Sequence, residues 1–185
     1  MRTQQARDYQ ILQAGQGTAH FLPHRQEPFA VIGRLIPLYD GARWSYREEL
    51  FPAPSTKTFA DDQYDLGQVL RGEAQAIFLA VRGDCCIGSV RVSLDWFGRG
   101  YVESLAVNAA ERHGGVGRAL LDTATGWCRS KGAKALLLEA QDNNLLACRF
   151  YLKYGFSLCG IHTRRYALTR YQDETSLDFY LPLAP

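Results

Sequence analysis

The chain has 185 residues, of which 46% are hydrophobic and 22% are charged, and its formal net charge is +2 at pH 7. This length suits a single domain with or without a short extension, and it allows a core large enough to fold without disulfides or structural metals. The small net charge and the lack of a basic run argue against a nucleic-acid-binding protein, and no stretch reaches the about 18 apolar residues of a membrane span.

The cysteines indicate a reducing compartment. Five are present, an odd number with one adjacent pair and no spacing typical of zinc ligands, which predicts buried thiols with neither a disulfide framework nor a metal site. They are Cys85, Cys86, Cys128, Cys148 and Cys159. The first thirty residues lack an apolar segment flanked by cations, so we expect no signal peptide and a cytoplasmic protein.

The N-terminal third carries the weaker patterns. Residues 1–27 are polar and predict a flexible arm or a loosely packed first strand, ahead of a single domain over 28–185. Residues 29–40 are rich in β-formers and predict a strand. Residues 44–51 predict a short helix that Pro52 and Pro54 end.

The pattern from residue 76 onwards predicts a mixed α/β sheet. A hairpin, a third strand, a helix, a buried strand, a second helix and two closing strands follow one another. We assign them to 76–82, 85–94, 101–107, 115–131, 133–141, 144–153, 156–168 and 175–183. The helix between strands 101–107 and 133–141 implies that these two strands lie parallel with a right-handed crossover.

The glycine-rich segment ERHGGVGRALL at 111–121 opens the first of these helices. A helix N-terminus presents unpaired N–H groups and partial positive charge, and glycines let an anion approach them closely. Arg112 and Arg118 add donors on either side, so the segment predicts a phosphate or diphosphate cradle; a plain tight turn is the alternative. A nucleotide P-loop is disfavoured because no Lys-Ser/Thr follows the glycines, and a Rossmann loop because seven residues separate Val107 from Gly115.

A second segment at 139–156 supplies polar groups on a helix. Asn144 is a good N-cap and a good amide partner for a peptide-like ligand. Tyr151 carries a hydroxyl that can donate a proton. The alternatives are a plain cap for Asn144 and a packed aromatic ring for Tyr151.

Together the two segments resemble the GNAT superfamily of acetyl-CoA-dependent N-acetyltransferases. The loop pattern Arg/Gln-x-x-Gly-x-Gly/Ala matches residues 112–117, and Asn-x-x-Ala-x-x-Phe-Tyr matches residues 144–151. The resemblance implies a mostly antiparallel, twisted sheet flanked by helices, with a parallel strand pair that splays apart at the cofactor cleft. It implies acetyl-CoA as cofactor.

The same resemblance implies a role for each matched position. Backbone groups of strand 101–107 would pair with the pantetheine arm, amides of the glycine loop would hold the diphosphate, and Tyr151 would protonate the departing thiolate. The cofactor-binding residues so implied are Leu105, Ala106, Val107, Arg112, His113, Gly114, Gly115, Val116, Gly117, Arg118, Asn144, Ala147 and Tyr151.

Residues 39–51, 101–107, 138–161 and 173–181 are more closely similar to the streptothricin acetyltransferases. That group acetylates an amine of a small cationic antibiotic, which implies resistance to it. One departure is that those enzymes usually carry two acidic residues where this chain has Glu103-Ser104.

An amine acceptor needs a base, because an ammonium with a pKa of about 10.4 is almost entirely protonated at pH 7. The resemblance favours Glu103 as the base or the amine anchor, Glu139 is the second candidate, and a water relay is the alternative. Acidic and aromatic residues in the N-terminal third would line the acceptor side, with a solvated face and core packing as alternatives. The acceptor-binding candidates are Trp44, Tyr46, Glu48, Glu49 and Glu103, with Asp61, Asp62 and Asp65 as further acids.

We therefore expect an N-acetyltransferase acting on a small-molecule amine without nucleic acid, membrane or metal, as a monomer or homodimer. A protein N-terminus or lysine is the alternative acceptor. A CoA-binding module without turnover is the alternative of another class, and a nicotinamide-dependent oxidoreductase is the least favoured.

Overall fold

A computed structural model describes residues 8–22, 25–59, 67 and 74–183. The strands in this part of the chain are β1 (Gln10–Gln13), β2 (Phe29–Tyr39), β3 (Trp44–Lys57), β4 (Gln75–Arg82), β5 (Cys85–Leu94), β6 (Gly100–Val107), β7 (Ala135–Gln141), β8 (Ser157–His162) and β9 (Ser176–Pro182). The α-helices are α1 (Val116–Ser130) and α2 (Leu145–Tyr154), and short 3₁₀ turns cover Gln16–Phe21 and Ala109–Glu111. No helix among the described residues is long and apolar enough to cross a membrane.

Seven strands form one sheet in the order β1-β4-β5-β6-β7-β9-β8, and β2 and β3 form a separate antiparallel hairpin. Every neighbouring pair in the larger sheet is antiparallel except β6 and β7. The predicted mixed sheet, its β4–β5 hairpin and its parallel pair are therefore confirmed. The β4–β5 turn depends on Gly83, whose φ of 56° lies in the left-handed region that glycine enters without strain.

The segment 44–51 is strand, so the predicted short helix is wrong. Trp44–Lys57 pairs with Phe29–Tyr39, and Pro52 and Pro54 fall where the register jumps from Gly33–Leu50 to Val31–Ser55. The prolines therefore sit in an irregular stretch that does not require their missing N–H groups. Gly33 is required at this point, because a Cβ there would lie 2.2 Å from the carbonyl oxygen of Glu49.

The strand predicted over 156–168 ends early, at His162. Residues 163–175 are a run of turns between β8 and β9, closed by bonds such as Ala167 N–H to the Arg164 carbonyl. The connection returns over the sheet, which brings its side chains back to β7 and β9. No local pattern in 163–168 marks this change of direction.

Both helices pack on one face of the sheet. Val116, Leu120, Leu121 and Ala124 of α1 are buried as predicted, with Trp127 partly buried beside them. The α2 residues that join the same core are Leu145, Cys148 and Tyr151. The side chains of β7 that meet this core are Leu136, Leu138 and Ala140, whereas the alternate positions 137, 139 and 141 are partly exposed, so β7 is buried mainly on one face.

All five cysteines are free thiols, but not all are buried as predicted. Cys128 and Cys148 are buried, whereas Cys85 and Cys159 are exposed. Burial raises the pKa of Cys128 to about 11, and burial, followed by the charge of Asp142, raises that of Cys148 to about 12. Cys148 is thus a protonated core side chain at neutral pH rather than an activated nucleophile.

Candidate active site

The parallel strands β6 and β7 separate after three paired positions. Gly100–Val102 lies against Leu136–Leu138, and beyond that point no pair joins β6 to β7. A bulge against β5 helps them diverge, because Val102 and Ser104 pair with consecutive residues of β5 and leave Glu103 as the extra residue. The backbone of Leu105, Ala106 and Val107 thus has an edge towards the gap that is available to a ligand.

The predicted glycine loop places the start of α1 near the end of β6. Gly115 is the N-cap, with a φ of 87°, and the first intrahelical bond runs from the Ala119 N–H to the Gly115 carbonyl. Among the described residues nothing accepts the N–H groups of Gly115, Val116, Gly117 or Arg118. These donors, with the helix dipole behind them, fit an anionic diphosphate.

The side chain of Arg112, predicted to contact the diphosphate, is hydrogen-bonded to backbone carbonyls of the protein. Its guanidinium donates to the carbonyl oxygens of Val107 at 3.0 Å, Pro28 at 2.7 Å and Glu27 at 3.5 Å. The side chain therefore anchors the loop to the end of β6 and to the segment before β2. His113 beside it has a φ of 66°, so the loop contains a second left-handed residue next to the exposed Gly114.

Arg118 is exposed at the other end of the loop. Its guanidinium lies 5.2 Å from the ring centre of Tyr154 and 3.9 Å from Asp122. Tyr154 in turn donates a hydrogen bond of 2.8 Å to Asp122, so α1 and α2 are joined just beyond the glycine loop. Arg118 remains a predicted cofactor contact.

Helix α2 carries the second predicted set. Asn144 is its N-cap, with Oδ1 accepting from the Ala147 N–H at 3.4 Å. The ring of Tyr151 is buried, with ring centres 5.9 Å from Phe156 and 6.0 Å from Phe179. Burial raises the pKa of the Tyr151 hydroxyl well above its usual range, with the charges of Cys148 and Glu139 adding to the effect, so this hydroxyl stays protonated.

Carboxylates gather on the sheet face opposite the helices. Glu139 of β7 pairs with Asp178 of β9, and Tyr166 donates a hydrogen bond to Glu139 Oε1. Burial raises the pKa of Glu139, while the hydrogen bond from Tyr166 opposes that shift. Glu103 is exposed and accepts a 2.5 Å hydrogen bond from Ser93.

Tyr101 of β6 lies among these acids. Burial, followed by the charge of Glu139, raises its pKa to about 12, and Glu103 and Asp178 contribute in the same direction. Arg165 opposes them, with its Nη2 3.7 Å from Asp178 Oδ1. We call Glu103, Glu139, Asp178 and Tyr101 the carboxylate face; it borders the gap between β6 and β7.

The acceptor-binding residues predicted on the β2–β3 hairpin are not gathered into one open acidic surface. Glu48 lies on one face and is held by Arg149 of α2 through bonds of 3.0 and 2.5 Å. Glu49 is on the other face, 3.5 Å from Arg47. Trp44 packs against the core and against Tyr39, Tyr46 is 43% exposed, and the acids at 61, 62 and 65 lie outside the described residues.

Four residues of this site have no counterpart in the sequence-based prediction: Tyr101, Arg165, Tyr166 and Asp178. Glu139 did indicate that a bonding partner exists, because a carboxylate that follows three leucines in a buried strand needs one. The partner lies 27 residues away in a connection that was predicted as strand. The strand register that sets Asp178 opposite Glu139 is equally invisible in a single sequence.

Comparison with known proteins agrees with this geometry. Residues 38–156 match the acetyltransferase (GNAT) family model. Streptothricin acetyltransferase A of Bacillus subtilis (strain 168) is 36% identical over 154 residues, which cover 83% of this chain and 88% of that protein.

Two solved structures share nearly the whole fold. One, from Bacillus anthracis, is described as a candidate streptothricin acetyltransferase in complex with acetyl coenzyme A; it has a TM-score of 0.86 and 26% identity, covering 95% of this chain and 99% of that chain. The other is nourseothricin acetyltransferase, with a TM-score of 0.81 and 29% identity over 96% of this chain and 100% of that chain. The splayed strands, the free amides at the start of α1 and these similarities lead to one conclusion: the chain belongs to the GNAT family and is an acetyl-CoA-dependent N-acetyltransferase.

Proposed function

We propose that this protein acetylates a primary amine of a streptothricin-type antibiotic, a small molecule with several positive charges, and does so in the cytoplasm. The carboxylate face carries the proposal, because it offers negative charge and an aromatic ring to a cation at the gap where the acetyl group is delivered. Its acids stand on three strands, so the single Glu103 on β6 is supplemented by Glu139 and Asp178. The names of the B. subtilis, B. anthracis and nourseothricin relatives point to the same substrate class.

The cofactor contacts follow from the N–H groups at the start of α1, which have no acceptor in the described part of the chain, and from the side of β6 that β7 leaves unpaired. The N–H groups from Gly115 to Arg118 would hold the diphosphate, and the open edge of Leu105–Val107 would pair with the pantetheine arm. Asn144 and Ala147, at the start of α2, would border that arm. Bound acetyl-CoA supplies the acetyl group as a thioester, whose C–S bond breaks as the C–N bond forms.

Two proton transfers are needed around that exchange. The acceptor ammonium must lose a proton, which costs roughly 4–5 kcal/mol at pH 7. A base held beside the amine typically raises the reaction rate by ~10²–10⁴-fold. Glu139 is the base in this proposal, because it is partly buried and burial raises its pKa, and exposed Glu103 would anchor the ammonium. Tyr151, which stays protonated, would give its proton to the departing sulfur.

The test follows thiol release from acetyl-CoA with streptothricin, an aminoglycoside, a polyamine and a peptide with a free N-terminus. We expect turnover with streptothricin to exceed that with the others by at least tenfold in kcat/KM. Preference for the peptide would instead support the protein N-acetyltransferase alternative. Acetyl-CoA binding without thiol release from any amine would support a non-catalytic module.

A pair of variants tests the carboxylate face itself. Asp178→Asn should raise KM for streptothricin several-fold while KM for acetyl-CoA is unchanged. Asp84→Asn, an exposed aspartate in the β4–β5 turn, is the matched control and should change neither constant. Equal effects of the two variants would refute a local role for this face.

A further inference from the structure

The connection between β8 and β9 makes two contacts with the carboxylate face. Tyr166 donates its hydroxyl proton to Glu139 Oε1, and Arg165 lies beside Asp178. Glu139 and Asp178 are a register pair on adjacent strands. One short stretch of turns therefore reaches both members of the pair.

We propose that Tyr166 is a positioning residue for acetyl transfer: it fixes Oε1 of Glu139 so that Oε2 is left to take the proton from the acceptor's ammonium. The inference rests on the proposed function, in which Glu139 is the base. One proton passes from the ammonium nitrogen to Oε2 and then to solvent, and the lone pair it leaves on nitrogen forms the new C–N bond. Tyr166 itself gains and loses nothing in this step.

The connection is also anchored to the rest of the protein at points away from the Tyr166 hydroxyl. At its far end Glu174 accepts from Lys57 at 2.6 Å, and this pair is only 12% exposed on both sides. Asn143, just before α2, donates to the same carboxylate at 3.1 Å. The bond from Tyr166 to Glu139 is thus best explained by what it does to Glu139.

Removing that bond should move the acid limb of the pH profile. Glu139 must be ionised to accept a proton, so the rate falls as the pH drops through its pKa. Burial raises that pKa and the donor on Tyr166 lowers it, so the loss of the donor moves the limb to higher pH. Ser176 of β9 also lowers the pKa of Glu139 and is present in every variant compared below. The titratable groups that act electrostatically with Glu139 are Arg165 on the same connection, Asp178 on β9, Tyr101 on β6, and Cys148 and Tyr151 on α2.

The experiment measures kcat and kcat/KM for streptothricin from pH 5 to 9 in the full-length wild type, Tyr166→Phe and Tyr171→Phe. Tyr166→Phe should lower kcat about tenfold at pH 7 and move the acid limb up by on the order of one pH unit. Tyr171→Phe removes a hydroxyl from the same connection, one bonded to Arg170 instead of Glu139, and should leave the profile unchanged. An unmoved limb in Tyr166→Phe would overturn the inference.

A Glu139→Gln background separates positioning from folding. There Tyr166→Phe should have no further effect on kcat, since the base it positions is gone. An equal loss in both backgrounds would mean that the hydroxyl acts only through stability, and the inference would fail. If Glu139→Gln keeps full activity on streptothricin, the inference fails while the proposed function stands; if the wild type releases no thiol with streptothricin, the proposed function fails as well.

Discussion

Tyr151 combines two properties that a proton donor needs. Its ring is fixed among Phe156 and Phe179, and burial keeps its hydroxyl protonated far above neutral pH. A donor held in this way can protonate a departing thiolate without giving up its proton beforehand. The sequence motif predicted the residue, whereas Phe156, between α2 and β8, and Phe179 of β9 lie outside that motif.

Tyr151→Phe should therefore lower kcat about 10²-fold while the affinity for acetyl-CoA stays within twofold of the wild type. The ring and its packing are retained, so the melting temperature should change little. Thiol-release kinetics and calorimetric titration with acetyl-CoA measure the two quantities. A wild-type kcat in this variant would assign the proton transfer to another group.

Gly115 has a left-handed backbone conformation that would be strained for a residue with a side chain. At a φ of 87°, Gly115→Ala should lower the free energy of unfolding by about 1–2 kcal/mol and weaken acetyl-CoA binding, because the first amides of α1 would reorient. Gly126→Ala is the matched control: this exposed glycine lies inside α1 with open space around it, so alanine should stabilise by about 0.5–1 kcal/mol. Urea unfolding and calorimetric titration of both variants check the contrast, and equal destabilisation would contradict it.

Among the secondary-structure elements, the β2–β3 hairpin shows why the local sequence pattern gave a wrong prediction of a helix. Residues 44–51 contain two glutamates, a leucine and following prolines, which favour a helix that stops at Pro52. Pairing with β2 at seven of these positions outweighs that weak preference, and the bulge near Gly33 accommodates the prolines. By contrast, the two helices after residue 76 were predictable because each has an apolar period and a glycine or asparagine at an end, namely Gly132, Asn144 and Gly155.

The hairpin is joined to α2 through Glu48 and Arg149, and this contact should be measurable. A double-mutant cycle with Glu48→Gln and Arg149→Gln should give a coupling of about 0.2–1 kcal/mol at pH 7 by urea unfolding. Arg149 holds the pKa of Glu48 below its ordinary value of 4.5, so the coupling is present above that pH and is lost as the pH falls through the lowered pKa. The more exposed Arg47–Glu49 pair, at 3.5 Å, is the control and should couple near zero; equal couplings would argue against an anchoring role.

For the whole molecule, the order of helices and strands was enough to predict the mixed sheet. It was not enough to predict which side chains meet on the carboxylate face. The glycine loop that we propose to hold the diphosphate is local, so eleven consecutive residues are enough to predict it. The carboxylate face is assembled from β6, β7, β9 and the connection before β9, and its members meet only through register and a returning chain. The proposed base, the proposed positioning group and the proposed acceptor subsite are therefore assembled by the fold and not by one stretch of sequence.

The folded molecule should be stabilised as a unit by acetyl-CoA, because the cofactor's proposed contacts join β6, α1 and α2, which the core already couples. At a hundredfold excess over Kd, binding adds about 2.7 kcal/mol, which for a chain of this length is about 5–11 °C in melting temperature. NAD shares the adenosine and diphosphate but has no pantetheine arm to pair with Leu105–Val107, so at the same concentration it should shift the melting temperature by less than about 1 °C. Scanning calorimetry of the two mixtures decides the matter: an equal shift with NAD would mean that the loop binds any diphosphate and that the open edge of β6 contributes nothing.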